Sequence, residues 1–334
     1  DAIIEREDTI SEPKFKDNGK LKEFDFAVSN PPFSTKAWSS GIKPENDEYK
    51  RFDGFDIPPK KNGDYAFLLH LIKSLKPTGK GAIILPHGVL FRGNVEAIIR
   101  KNLINRGYIK GIIGLPPNLF YGTGIPACII VTDKENAESR KGIFLIDASK
   151  GFVKDGNKNR LQAKDIHKIV DVFTNQIEIP KFSRMVPVSE ISDDKNEYNL
   201  NIPRYIDSQE EEDIQDIEAH LKGDIPKKDI DDLNQYWEVY PNIRQTLFAP
   251  SKRKNYESLI VDNSEIKTII FEHDEFKKYS EKINKTYSEW EETNLSLLTK
   301  IKVGTNPKKL ISEISESILD KFLKIKLIDK YDIY

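Results

Sequence analysis

One cysteine, Cys128, stands in a chain of 334 residues. An internal disulfide is therefore excluded, and the usage fits a reducing compartment, the cytoplasm. Histidine is scarce as well. His70, His87, His167, His220 and His273 are scattered, and with a single thiol they make no metal-ligand spacing. No Gly-x-Ser-x-Gly elbow is present, so hydrolysis has no candidate nucleophile. No apolar run approaches the roughly 18 residues a membrane helix needs, and no charged-then-apolar leader opens the sequence. Charge is plentiful, 32% of residues, but the formal net charge is −2. That balance excludes a general basic field, so any contact with nucleic acid must use local patches. A glycine-rich phosphate loop is also missing: Gly79-x-Gly81 lacks both the dinucleotide and the P-loop spacing. With one methionine, Met185, and Asp1 in first place, the chain reads as part of a longer protein.

The most informative stretch present is Asp25-Phe26-Ala27-Val28-Ser29-Asn30-Pro31-Pro32-Phe33. Its apolar run, Phe24 to Val28, predicts a buried strand. Two prolines, lacking amide hydrogens and fixed in φ, stop that strand, and the residue before each is held extended. The result is a stiff turn at the carboxyl end of a strand, where open α/β sheets place their ligands. Asn30 offers a side-chain carbonyl, and the Pro31 carbonyl, stiffened by Pro32, offers a second acceptor. Two acceptors aimed at one amino group take both its hydrogens and turn the nitrogen lone pair towards an electrophile. Phe33 supplies a face on which a planar ring can stack. This is a constellation for attack by an exocyclic amine such as adenine N6. A plain strand-to-loop turn is the alternative, since Asn and Pro are common there.

Asn30-Pro31-Pro32-Phe33 resembles the catalytic motif of the amino-methyltransferases that use S-adenosylmethionine. Two downstream runs are more specific: Gly79-Lys80-Gly81-Ala82-Ile83-Ile84-Leu85-Pro86 with Gly88-Val89-Leu90-Phe91-Arg92, and Gly114-Leu115-Pro116 with Phe120-Tyr121-Gly122-Thr123-Gly124-Ile125-Pro126. Together they resemble the modification subunit of type I restriction–modification systems, an N6-adenine DNA methyltransferase. The likeness covers most of residues 5–205; residues 232–334 resemble the helical tail of longer members. It implies S-adenosylmethionine as cofactor, double-stranded DNA as substrate, and the specificity and restriction subunits as partners, with no membrane. It also implies catalytic roles for Asn30, Pro31, Pro32 and Phe33. Asp8-Thr9-Ile10 resembles the family's short Gly-Asp-Thr-Leu element, with Glu7 in place of glycine; in relatives it lies beside the cofactor adenine, which implies Asp8 at the cofactor, a surface turn being the alternative. The family's glycine-rich cofactor motif lies upstream of Asn-Pro-Pro-Phe and has no counterpart here.

Taken in order, Lys14 to Lys22 is a polar loop, and Ser34 to Gly63 is a long one carrying Trp38, Arg51, Phe52, Lys60 and Lys61. Loops of that length are functional or mobile; this one is a candidate to close over a flipped base or touch the DNA backbone. Asp64 is expected to cap a buried helix, Tyr65 to Leu75, stopped by Pro77-Thr78-Gly79. Ala82 to Leu85 is a strand, Asn94 the cap of the next helix, and Gly107 its end. Strands follow at 108–113, 127–132 and 142–147, then a helix at 164–173. Strands alternating with helices imply a mostly parallel sheet covered on both faces, with an antiparallel hairpin at its edge. In the loop from Pro116 to Pro126, Gly122 and Gly124 let the backbone pass close to a ligand. There Phe120 or Tyr121 is placed opposite Phe33 as the second wall of a base site, with Thr123 beside it; packing in the core is the alternative.

The sequence divides at about residue 207: 1–207 as the carboxyl part of a Rossmann-like methyltransferase domain, 208–334 as a mainly helical region suited to docking subunits. Ser208 with Glu211 makes a capping box, with Ile214, Ile217 and Leu221 on one face. Long amphipathic helices are expected at 276–301 and from Asn306-Pro307 through Phe322. Lys252-Arg253-Lys254 could meet phosphate, although three charges in a row are ordinarily a solvated face. The reading is an adenine-specific DNA methyltransferase subunit. The alternatives are an RNA or protein-glutamine methyltransferase and a non-catalytic assembly module.

Overall fold

The apolar run before Asn30 forms strand β1 (Phe24–Ser29), at one edge of a six-stranded sheet. The others are β2 (Leu75–Pro86), β3 (Ile109–Gly114), β4 (Ala127–Asp133) and β5 (Gly142–Asp147). A small separate hairpin follows, β6 (Val153–Asp155) with β7 (Lys158–Arg160). Strand β8 (Ser183–Pro187) closes the far edge. The order is β8-β5-β3-β4-β2-β1. β1 pairs parallel to β2 and β3 parallel to β5. β4 runs antiparallel between β2 and β3, and β8 is antiparallel to β5. Strands β1, β2, β3 and β5 thus point one way, and their carboxyl ends share one edge of the sheet.

The computed structural model describes residues 2–209 and 215–334, in a chain that divides into two compact units, Asp1–Gln209 and Glu210–Tyr334. In the first, helix α1 (Asp64–Lys73) buries Tyr65, Leu68, Leu69, Leu71 and Ile72 against the sheet. Each such aliphatic side chain contributes roughly 1.5–3 kcal/mol by leaving water. Gly81 explains how closely they approach: a Cβ there would sit 2.5 Å from Leu71 Cδ2 and 2.8 Å from Thr132 Oγ1. That glycine serves packing. Helix α2 (Val95–Asn105) buries Ile99, Leu103 and Ile104. It ends as expected at Gly107, whose φ of +65° is left-handed. Helix α3 (Ala163–Asn175) starts from a capping box of Gln162 and Asp165. Outward of β1 no further strand pairs among the described residues, and Phe26 and Val28 are 75% and 84% exposed, where a buried strand was expected.

Three local expectations are corrected. Asp64 is the first residue of α1 and makes no cap, Gly63 holding that position; its carboxylate is engaged elsewhere. Asn94 sits at the start of α2 with φ +54° and no capping bond from its side chain. Its value is backbone tolerance of the left-handed region. The long loop 34–63 is also not an open polar insertion. Trp38, Tyr49, Arg51 and Phe52 are buried in it, and Trp38 Nε1 donates to the Pro59 carbonyl. Arg51 therefore has no face for a DNA backbone, whereas Lys60 and Lys61 are exposed.

The second unit is helical around a small three-stranded sheet of Ile225–Pro226, Tyr256–Leu259 and Phe248–Pro250, which sequence periodicity did not reveal. The expected box at Glu211, with Ile214, lies outside the described residues. The helix Ile217–Lys222 takes its cap from Asp216, which accepts the Ala219 amide, and leaves Ile217 and Leu221 exposed. Long helices run over Asp274–Thr299 and Pro307–Phe322, the latter capped by Asn306. They meet through Ile283, Trp290, Ile318 and Phe322. Within that seam Trp290 Nε1 donates to Ser317 Oγ, which donates to Asn294 Oδ1. Arg253 is not a free phosphate ligand: its guanidinium lies 3.7 Å from the Tyr256 ring centre and donates to the Gly223 carbonyl. No helix among the described residues is long and apolar enough to cross a membrane.

Candidate active site

Three loops meet at the carboxyl edge of the sheet: Asn30–Thr35 after β1, His87–Arg92 after β2, and Leu115–Pro126 after β3. In the first, Asn30 is exposed, Pro31 buried and Phe33 half-buried. The Thr35 hydroxyl donates to the Pro32 carbonyl at 3.0 Å and closes the turn. In the third loop, Phe120 packs edge-on against Phe33, with ring centres 5.6 Å apart and planes at 72°. The structure thus brings Phe33 and Phe120 together, touching rather than flanking a gap. Tyr121 is 94% exposed and takes no part in that contact. Thr123 is half-buried, and its hydroxyl accepts the Ile125 amide.

The aromatic loop is held from outside by residues that sequence reasoning missed. Lys158 Nζ donates to the carbonyls of Phe120 (2.8 Å) and Thr123 (3.1 Å). Buried Asn159 donates from Nδ2 to the Pro117 carbonyl and from its amide to that of Asn118. The β6–β7 hairpin is a strut for Phe120. The middle loop is fixed by Arg100, 3% exposed, which donates to the carbonyls of Val89, Arg92 and Tyr198. Tyr198-Asn199-Leu200-Asn201 docks there, Leu200 donating its amide to the Leu90 carbonyl.

Asp64 lies beneath the first loop, fully buried, and accepts the Ser34 amide at 2.7 Å. Arg92 Nη1 bridges Asp64 Oδ2 at 3.0 Å and Glu96 Oε1 at 3.1 Å. Burial pushes the Glu96 carboxyl up against the pull of Arg92.

On the other side of β1 a cavity of about 330 Å³ is lined by Asp8, Thr9, Phe24, Ala27, Ser29 and His70, among others. It reaches the residue before Asn30. Asp8 Oδ1 accepts the amides of Ser11 (2.8 Å) and Ile10 (2.9 Å), which hold its carboxyl below the usual range. Nearby, Arg51 donates from Nη1 to the Ile10 carbonyl (2.7 Å) and to His70 Nδ1 (3.3 Å), and its Nη2 pairs with Asp47 at 2.5 Å.

This cluster gives a testable pH dependence. Burial, reinforced by the Arg51 charge, pulls the His70 pKa from its ordinary 6.5 down to about 4. Between those values the unfolded chain binds the proton and the folded one does not, so stability falls as pH falls through that window. From pH 7 to pH 5 this one group is expected to remove about 2 kcal/mol. Urea unfolding of wild type and His70→Gln at both pH values checks this. The stability difference should move towards the variant by that amount, and a difference that stays constant rules the account out.

The Asn30-Pro31-Pro32-Phe33 turn thus stands beside an aromatic ring at the carboxyl edge of an α/β sheet, the place where the sequence resemblance to the amino-methyltransferases leads one to expect it. The chain belongs to the N-6 DNA Methylase family, whose profile matches residues 1–214. It is 36% identical over 224 residues to the type I restriction enzyme MjaVII methylase subunit of Methanocaldococcus jannaschii, covering 64% of this chain and 38% of that protein. To the MpnII methylase subunit of Mycoplasma pneumoniae it is 34% identical over 224 residues, covering 66% and 40%. The crystal structure of the type I restriction-modification system methyltransferase subunit from Streptococcus thermophilus is similar at 40% identity and a TM-score of 0.53, covering 59% of this chain and 41% of that one. The chain spans about two fifths of the length of these relatives. Methyltransferases of this kind use S-adenosylmethionine.

Proposed function

We propose that these residues form the base-capturing part of an N6-adenine DNA methyltransferase, the modification subunit of a type I restriction–modification complex acting with specificity and restriction subunits in the cytoplasm. The observation that carries this reading is the Asn30-Pro31-Pro32-Phe33 turn at the end of β1 with Phe33 against Phe120. The target adenine leaves the duplex before its amine can be reached. The Asn30 side chain and the Pro31 carbonyl accept the two N6 hydrogens and set the lone pair's direction. The Phe33 face stacks the base once Phe120, Tyr121 and Thr123 shift with their loop. S-adenosylmethionine, when bound, supplies an activated methyl group. The residues present fit one side of that molecule: the ionised Asp8 at the rim of the 330 Å³ cavity is an acceptor for adenosine donors, and Phe24 offers an apolar wall. The sequence holds no glycine-rich loop for the rest, and among the described residues no strand pairs outward of β1. The unit 208–334 is read as the separable subunit-docking region.

The test is methylation of a target duplex by the full-length subunit with its specificity subunit, followed by nucleoside analysis. N6-methyladenine is expected, and residues 1–334 alone are expected to give none. N4-methylcytosine, or methyl transfer to RNA or a protein glutamine in its place, overturns the substrate assignment. Measurable transfer by residues 1–334 alone overturns the argument from the missing loop.

A further inference from the structure

We infer that Asp64 is a positioning residue for the catalytic turn. This rests on the proposed role of Asn30. Ser34, the residue after Phe33, has φ +51°, a left-handed backbone that a serine adopts at a cost. Such conformations persist where the surroundings over-determine them, and they cluster at functional sites. Here the determinant is visible. The Asp64 carboxylate, with none of its surface exposed, accepts the Ser34 amide at 2.7 Å. Gly63 adds a second tie, donating its amide to the Thr35 carbonyl at 3.0 Å. Gly63 also makes room: a Cβ there would lie 2.8 Å from Trp38 Cβ.

The position of Asp64 is itself rigid. It opens α1, a helix buried along most of its length, and an anion is favoured at that end by the helix dipole. An isolated buried carboxylate would be costly. Arg92 compensates, bonding Asp64 and Glu96 through one nitrogen. Arg92 comes from the His87–Arg92 loop, so the network locks two of the three loops at the sheet edge to one helix. Asp64 touches neither base nor cofactor in this scheme; it acts through the direction in which Asn30 and Pro31 point.

Displacement of a reacting group by about 1 Å can cost around 10²-fold in rate. In the full-length enzyme, Asp64→Asn keeps an acceptor for Ser34 but turns an amide against Arg92 or loses the bond. It is expected to lower kcat about 10- to 10²-fold, with KM for DNA and the S-adenosylmethionine Kd within about twofold. Positioning also predicts non-additivity: in an Asn30→Ala background, Asp64→Asn should add less than about threefold in single-turnover rate. A raised KM with kcat unchanged, or the full loss again in the Asn30→Ala background, overturns the assignment. If Asp64→Asn does not fold, Arg92→Lys carries the same test, since an ammonium keeps the charge but not the planar fork. A kcat loss that vanishes in the Asn30→Ala background supports the proposal, and an unchanged kcat overturns it. A parental rate for Asn30→Ala alone would instead overturn the role of the turn.

Discussion

Replacing Asn30 with alanine in the complete enzyme is expected to lower methyl transfer by about 10²–10³-fold, with cofactor and DNA still bound. As N6 attacks, its hydrogens become more acidic and stronger donors. Under the proposed role, the bond to the Asn30 carbonyl strengthens on the way to the transition state, and such an interaction lowers the barrier more than it aids binding. Asn30 is exposed and packs no core, so its removal should leave the fold intact. The loss is larger if fixing the lone pair's direction counts as well. Asn30→Asp should keep some activity if the carboxylate still accepts. Phe33→Ala should act differently, weakening capture of the extruded base, with stacking worth roughly 1–3 kcal/mol. Single-turnover methylation beside cofactor titration separates the two. An Asn30→Ala enzyme that methylates at the parental rate would make the turn structural.

Much of the sheet was legible because its strands are apolar runs with punctuated ends. Gly107 after α2, Asn30-Pro31-Pro32 after β1 and Asn306-Pro307 before the last long helix carry local physics that needs no tertiary information. What sequence reasoning missed depends on partners far away. Asp64 stands one residue inside the cap position held by Gly63, and its carboxylate meets Ser34 thirty residues back and Arg92 twenty-eight ahead. Lys158 and Asn159 are unremarkable charged and polar residues until the hairpin sets them under Phe120 and Pro117, 38 and 42 positions away. Phe120 or Tyr121 was expected as a wall opposite Phe33, with core packing as the alternative; Phe120 meets Phe33 edge-on, and motif spacing cannot distinguish such a contact from a gap between parallel rings. The strands at 225–226 and 248–250 are too short for any periodicity to register.

Arg51 is the sharpest instance, and it carries the largest expected effect on stability. A polar loop suggested a side chain facing solvent. Instead the guanidinium is wholly enclosed, with Asp47 at 4% exposure, and packs between the Tyr49 and Phe52 rings at 5.3 and 5.7 Å. Burial alone would raise the Asp47 pKa, but Arg51 outweighs it and the carboxyl titrates below its ordinary range. Removing one partner of such a pair leaves an uncompensated buried charge, which costs about 3–5 kcal/mol. Arg51→Ala should destabilise the first unit by that amount, since the Ile10 carbonyl also loses its donor. Trp38 is that unit's own tryptophan, so urea unfolding followed by its fluorescence, with Trp237 and Trp290 changed to Phe, reads the effect. An apolar replacement of the pair, Asp47→Leu with Arg51→Met, should recover most of the loss, because the cost lies in the stranded charge. The His70 pKa should rise in Arg51→Ala as the neighbouring cation disappears, narrowing the acid window described above. Arg51 joins the turn holding Asp8, the loop leading from Phe33 and helix α1 in one set of bonds, so its loss should loosen the proposed cofactor side and the proposed base side together. A variant that loses less than about 1 kcal/mol would place the pair with the exposed ones and contradict its burial.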